Sequence, residues 1–375
     1  MTKLPTPSAD PYAVDLDACR ARQLRLLEVL KPLDVELTVL SRRESIQWLT
    51  GVFVRPPFEP LAAVTPKGHV TLVIPERQLK QSAAADELLG YESNLLSTMR
   101  DDQRAASSAV LAAHLKTTPK QAACEFDAFC PHLFLSWNAP LVEIDAIVFE
   151  LRRHKDPDEL RMLRRANEAN RAMYEHARQM IGPGVNELDV YAELYSVAVH
   201  TLGEAPTYFG QDFRSGARGG PPRNRAAEAG ELYILDLGVG FRGYYSDNAR
   251  TFAVGGQPTD KQHRAWEAVS SVFAQFSSNA CPGASCRELF LAAEQQLAEY
   301  RPWIFNHHLG HGVGLAPHEG PHLNPRWDDT LAEGDFLAVE PGLYHDELRT
   351  GIRLEQNYIV TQGGVELITD WPLEL

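Results

Sequence analysis

Five side chains in the C-terminal half are of the types that hold divalent cations. Asp236 and Asp247 lie eleven positions apart in LDLGVGFRGYYSD, His311 stands in HHLGHGVG, Glu340 in AVEPG and Glu355 in GIRLEQN. Two aspartates, one histidine and two glutamates form a donor set for a pair of hard-to-borderline divalent ions. The oxygens suit Mn²⁺, Co²⁺ or Fe²⁺, and the imidazole biases the set away from Ca²⁺ and Mg²⁺. A pair of such ions activates water, so the pattern points to a hydrolase. Singly, each residue has an ordinary explanation. Asp236 could be a strand-end acid bonded to a turn, Asp247 a turn residue or a partner of Arg250, and His311 loop polarity. Glu340 could be a strand-end acid facing water, and Glu355 half of an exposed ion pair with Arg353. A carboxylate inside the apolar run YILDLG is nevertheless costly unless it is paired or bound to a cation. One dinuclear site replaces five separate explanations.

The elements that must position these residues are mostly strands. ELYILDLGVGF, GYYSDNARTFAV, DFLAVEPGLY and IRLEQNYIVT are strand-like and carry the four acids, while His311 is flanked by Gly310 and Gly312. Between the second and third of these segments, KQHRAWEAVSSVFAQFSS and SCRELFLAAEQQLAEY have helical spacing. Upstream, Asp156 is a helix N-cap, Pro157 the first helical residue and Glu159 a first-turn acid, and the predicted helix runs to Gly182-Pro183. Another helix starts at Val185–Leu188. Before residue 150 the pattern alternates. A loose arm of fifteen residues precedes a helix in ACRARQLRLLEVLK and a strand in VELTVL. A helix in RRESIQWL follows, then two strands joined at Lys67-Gly68, a helix from about Arg104 to Leu115 and a strand near Ala122–Phe126. None of the five candidate ligands falls there.

Composition narrows the function classes. A chain of 375 residues exceeds one ordinary core, so two domains are expected, 1–152 and 153–375. The formal charge of −14 argues against a nucleic-acid or anionic-membrane binder, whose affinity comes from clustered Lys and Arg. No apolar run approaches a membrane span, and the N-terminus shows no secretory pattern. The five cysteines are odd in number and lack CxxC spacing, which reads as reduced thiols of a cytoplasmic protein.

The segments DLGVGFRGYYSDNARTF, HHLGHGVGLAPHEG, VEPGLY and GIRLEQN, in this order and spacing, resemble the pita-bread metallopeptidases, the family of aminopeptidase P, prolidase and methionine aminopeptidase. The part before residue 150, with LSRRESIQWLTG, resembles the N-terminal domain of the creatinase, prolidase and aminopeptidase P branch. The resemblance implies an α+β architecture, a curved antiparallel sheet covered by helices, preceded by an α/β domain. It implies that Asp236 chelates one metal, that Asp247 and Glu355 bridge both, and that His311 and Glu340 bind the second. A water or hydroxide clamped between metals about 3.5–4 Å apart would attack the scissile carbonyl. Glu340 would shuttle the proton to the leaving nitrogen. His307 and His318 match substrate-side histidines, His318 on the oxyanion or substrate carbonyl. Arg353 would hold the substrate end or orient Glu340. The metal expected first is Mn²⁺, with Co²⁺, Zn²⁺ or Fe²⁺ as alternatives. The expected substrates are short Xaa-Pro peptides, with a dipeptidase favoured slightly over an aminopeptidase, and the expected assembly is a homodimer.

One position departs from the family pattern. Members usually carry a histidine seventeen residues before the first metal aspartate, and here that position is Gly219. The departure supports a second reading, a relative that hydrolyses a small-molecule amide or other non-peptide C–N bond. A non-catalytic scaffold is the third class, disfavoured because non-enzymatic versions of the fold lose metal ligands. The same loop holds Arg214, Arg218, Arg223 and Arg225, either a solvated basic loop or the source of one arginine that binds a substrate carboxylate.

Overall fold

The computed structural model describes residues 10–375 except 136 and 138. Most of the proposed N-terminal arm, residues 1–9, therefore lies outside the described residues. The chain divides into two compact units, Met1–Arg152 and Arg153–Leu375.

The first unit is built on a six-stranded mixed sheet. Helix α1 (Leu16–Leu30) starts where the Asp15 side chain accepts from Ala18 N at 3.0 Å. Strand β1 (Leu37–Leu40), helix α2 (Arg43–Thr50), β2 (Leu61–Val64) and β3 (Val70–Pro75) follow, then β4 (Glu87–Tyr91), α3 (Gln103–Leu115), β5 (Ala122–Cys124) and β6 (Leu141–Glu143). The strand order is β4-β3-β2-β1-β5-β6. β1, β2, β3 and β5 are buried along their whole length, as expected of strands covered on both faces.

The second unit opens with α4 (Pro157–Met180). Asp156 and Glu159 form a reciprocal capping box around Pro157, so the helix begins where its cap residues place it. Helix α5 (Glu187–Leu202) ends at Gly203, whose φ of 74° suits a left-handed cap. Three antiparallel strands come next, β7 (Tyr208–Ser215), β8 (Leu232–Phe241) and β9 (Tyr244–Ala253), in the order β9-β8-β7. β8 is buried at all ten positions. Asn170 of α4 donates to the Leu237 carbonyl at 2.7 Å, and Tyr174 donates to the Asn248 carbonyl, so α4 lies against β8 and β9.

Helices α6 (Asp260–Asn279) and α7 (Cys286–Leu297) separate this sheet from the remaining strands. β10 (Gly310–Gly312), β11 (Glu319–Leu323), β12 (Phe336–Val339), β15 (Gln356–Thr361) and β16 (Gly364–Leu367) form a five-stranded sheet, order β11-β10-β12-β15-β16. β13 (Gly342–His345) pairs β14 (Thr350–Arg353). Val269, Val272 and Phe276 of α6 share a core with Leu337, Val339, Leu343, Ile352 and Tyr358. The two C-terminal segments read as strand-like are each broken, at Glu340-Pro341 and at Leu354-Glu355. Each break is where the chain leaves the five-stranded sheet for the β13–β14 pair or returns from it, and each break holds a candidate ligand. Among the described residues, no helix is long and apolar enough to cross a membrane. All five cysteines are free thiols, and only Cys281 is exposed.

Candidate metal centre

The β8–β9 register sets the first two acids. Asp236 lies opposite Ala249 and Asp247 opposite Gly238, so Asp236 and Asp247 are diagonal neighbours on one face. The breaks bring in the two glutamates. Glu340 N donates to the Leu309 carbonyl at 2.7 Å, beside β10, and Glu355 N donates to the Ala249 carbonyl at 3.0 Å, beside β9. Arg250 Nη1 holds the Glu355 carbonyl at 2.6 Å instead of pairing with Asp247. His311 sits on β10 opposite Ala338. A Cβ at Gly312 would come within 2.0 Å of the Gly320 carbonyl oxygen, so glycine lets β10 and β11 close tightly beside the imidazole.

All five side chains are buried and converge. Donor atoms of Asp236, Asp247 and Glu355 lie within 4.8 Å of one another. His311 Nε2 is 3.4 Å from Glu340 Oε1 and 3.8 Å from Asp247 Oδ2. Burial, with Arg353 opposing it and Glu340 and Asp212 adding to it, raises Asp236 to about 6. Burial followed by repulsion from Asp236 and Glu340 pushes Asp247 well above the usual carboxylate range, and burial with Asp247 and Glu340 does the same to Glu355. Burial would also raise Glu340, but His311, His308 and His307 hold it down to about 2. Crowding acids at such cost is stable when a cation compensates them.

The donor set fits metal. Asp236 Oδ1, Glu355 Oε1 and His311 Nε2 are buried with no hydrogen-bond partner. Orphaned buried polar atoms are rare, and these three belong to residues linked through Asp247, which lies within 4.8 Å of Asp236 and Glu355 and 3.8 Å from His311. His311 Nδ1 contacts its neighbour's carbonyl, Gly312 O, at 2.9 Å, which keeps the proton on Nδ1 and leaves the Nε2 lone pair for a ligand. Gln211 Nε2 donates to both oxygens of Asp247 at 3.0 Å. Asn357 Nδ2 donates to the Asp247 carbonyl at 2.8 Å.

The surrounding residues differ from expectation in three places. Arg353 does not orient Glu340. It donates to Asp236 Oδ2 at 2.6 Å, Asp212 Oδ2 at 2.8 Å, the Tyr344 hydroxyl at 3.1 Å and the Arg218 carbonyl at 2.8 Å. Those bonds engage every guanidinium nitrogen, one of them on Asp236. His307 has both ring nitrogens occupied, by the His308 carbonyl at 2.8 Å and the Tyr344 hydroxyl at 2.9 Å, and burial pushes it down to about 4. Its neighbour His308, which the spacing rule passed over, places Nδ1 3.4 Å from Glu340 Oε1. The doublet HHLGH carried that ambiguity in the sequence. His318 stacks on His311 with ring centroids 3.6 Å apart and keeps an exposed face. Desolvation, then His311, lowers it to about 4.

The arginine loop is mostly committed to structure. Arg223 makes paired bonds to buried Glu187 at 2.6 and 3.0 Å, Arg225 bonds Glu231 at 2.5 and 3.0 Å, and Arg214 donates to the Pro221 carbonyl at 2.8 Å. Arg218 alone lies over the Tyr344 ring, 3.8 Å from its centroid, and donates to Asn306 at 2.5 Å. Asp212, Gln211 and Tyr344 are site residues that sequence reasoning misses, since nothing local marks them as close to Asp236.

Comparison with known proteins agrees with this geometry. Residues 161–362 match the model of metallopeptidase family M24, and residues 22–154 match the creatinase/prolidase N-terminal domain. The chain is 31% identical over 237 residues to an Xaa-Pro dipeptidase of Pyrococcus horikoshii, covering 62% of this chain and 67% of that one. The structure of an Xaa-Pro dipeptidase from Bacillus anthracis superposes with a TM-score of 0.81 at 25% identity, over 95% of this chain and 99% of the other. A prolidase structure from Pyrococcus horikoshii OT3 shares the fold at a TM-score of 0.80 and 23% identity, over 95% and 99% of the two chains. The chain belongs to metallopeptidase family M24, as a two-domain hydrolase of the pita-bread fold.

Proposed function

We propose that this enzyme hydrolyses the Xaa-Pro bond of short peptides, as a dipeptidase in preference to an aminopeptidase P, with Mn²⁺ as its metal. One observation carries the reading: buried Asp236 Oδ1, Glu355 Oε1 and His311 Nε2 lack hydrogen-bond partners among the clustered donors of a chain similar to Xaa-Pro dipeptidases. Asp236 would hold one ion, His311 and Glu340 the second, and Asp247 and Glu355 would touch both. Bound there, the ions would lower the pKa of water and polarise the scissile carbonyl.

The chain's own groups supply the rest. Glu340, beside His308 and His311, accepts a proton at its carboxylate and delivers it to the proline nitrogen, which cannot leave as an anion. His318 is neutral at pH 7, so it keeps one ring N–H, and its exposed face can donate that bond to the substrate carbonyl oxygen. Arg353 holds the Asp236 carboxylate in place. Proline amides carry no N–H and escape general proteases, so a dedicated site has a use. A net charge of −14 and five free thiols support a cytoplasmic enzyme acting on peptides, with no nucleic acid or membrane partner. A homodimer completes this reading, on family resemblance.

A second reading, hydrolysis of a small-molecule amide, draws on Asp212, whose carboxylate fills the space beside Gly219. The deciding experiment is a panel of Xaa-Pro, Xaa-Pro-Yaa and matched Xaa-Ala peptides, assayed with Mn²⁺, with Co²⁺ and after chelation. Metal-dependent cleavage confined to Xaa-Pro dipeptides is the expected result. No cleavage of any peptide by metal-loaded protein would leave the small-molecule amide as the surviving reading.

A further inference from the structure

Position 219 is the one departure from the family pattern, and the structure shows what keeps it glycine. A Cβ placed on Gly219 would lie 2.2 Å from Asp212 Oδ2 and 2.6 Å from Asp212 Cγ. The φ of Gly219 is outside the left-handed range, so its backbone does not require glycine. The obstacle is the aspartate, and it is pinned. Asp212 Oδ1 accepts from Gly220 N at 2.6 Å and Oδ2 accepts from Arg353 Nη1 at 2.8 Å. Asp212 stands directly opposite Asp236 in the β7–β8 register, so both carboxylates share the ligand face. Directly opposed like charges are unfavourable. Here Arg353 Nη1 sits between them and donates to both. The Asp212 side chain keeps 19% of its surface exposed, and each carboxylate oxygen has a second lone pair to offer a further donor.

A histidine at 219 would bring a ring N–H, whereas an ionised carboxylate can only accept. We propose that Asp212 is a specificity-determining residue that presents a hydrogen-bond acceptor next to Asp236, and that it recognises the free α-ammonium group of a short peptide. Asp212 and Gly219 then act as a pair, the small residue making room for the acid. The inference rests on the Xaa-Pro peptide reading above and assigns a residue to the free amino end that such substrates carry.

Two experiments on the metal-loaded, full-length protein test it, and they fail independently of that reading. The first needs no turnover. Melting temperatures are compared for wild type, Gly219→His, Asp212→Gly and the double variant. Gly219→His alone is expected to melt several degrees lower, and in the Asp212→Gly background the same change is expected to cost much less. Additive losses would overturn the steric pairing. The second uses Asp212→Asn, which keeps the shape and the Gly220 bond but removes the charge and the bond accepted from Arg353. Loss of one charge-assisted hydrogen bond predicts that KM for glycyl-proline rises about tenfold or more. The inhibition constant of N-acetyl-glycyl-proline should stay as in wild type. Equal weakening of both ligands would overturn amine recognition and leave Asp212 only as a clamp on Arg353. If wild type cleaves no dipeptide, the Xaa-Pro reading falls. The same two peptides are then titrated calorimetrically, and equal affinities in wild type would sink the amine site as well.

Discussion

Replacing Asp247 by asparagine should have opposite effects with and without metal. Donor atoms of Asp236, Asp247 and Glu355 lie within 4.8 Å of one another. At an effective dielectric constant of about 20, two unit charges at that separation repel by about 3.5 kcal/mol. Part of this is relieved by proton uptake, since burial and the neighbouring acids push Asp247 and Glu355 well above the usual range. A neutral asparagine keeps a carbonyl for Gln211 and can donate to Asp236. It should therefore stabilise the metal-free protein by about 1–3 kcal/mol. For a unit of this size one kcal/mol moves the midpoint by about 2–4 °C, so the gain is roughly 2–12 °C. Metal reverses the order. At a hundred times its dissociation constant, a bound ion adds about 2.7 kcal/mol to wild type, and the variant should gain little or none. Scanning calorimetry in EDTA and in Mn²⁺ measures both. If the metal-free variant melts no higher than metal-free wild type, the charge-crowding argument is wrong. If Mn²⁺ raises both midpoints equally, Asp247 is not a ligand.

Residues around the centre give further tests. Burial would raise Glu231, but Arg225, Glu228 N and Ser215 hold it at about 2 against 4.5 for a free glutamate. Its folded pKa is depressed, so its contribution is present above pH 4.5 and lost as the pH falls from there through about 2. The shift bounds the effect at about 3 kcal/mol, and an Arg225→Ala variant should show a shallower acid slope in urea unfolding over that window. Arg223→Ala should cost about 2 kcal/mol, discounted for the exposed side of the arginine, because it strands buried Glu187. Arg218→Ala should leave the melting temperature near wild type but raise KM about tenfold for substrates with a free carboxylate. An unchanged KM would remove Arg218 as a carboxylate anchor. His308→Ala should lower kcat at least tenfold, because its Nδ1 faces Glu340. His307→Ala should chiefly disturb Tyr344 and Arg353, read as a rise in KM with a smaller change in kcat.

Much of the catalytic unit is legible in the order of its residues. The capping box at Asp156 and Glu159 is a local pattern, and so is the apolar run around Asp236. Local patterns are read by spacing because the chain satisfies them with its own near neighbours. The same holds for helices 260–279 and 286–297, which form where the periodicity places them. The chain, with no further information, determined the two-part organisation and the family, and it proposed the donor types of the site. Tertiary structure alone decided which side chains meet. Glu340 and Glu355 lie at strand breaks; Pro341-Gly342 marks the first in the sequence, whereas nothing local marks the second. His308 was masked by His307, since the two are adjacent in an irregular segment before the strand and only packing decides which one meets Glu340. Asp212 lies 24 positions before Asp236 and more than a hundred before Arg353, and it becomes part of the centre only through strand register and a shared guanidinium. Such contacts join residues far apart in the chain, and their energy depends on distances that no local pattern encodes.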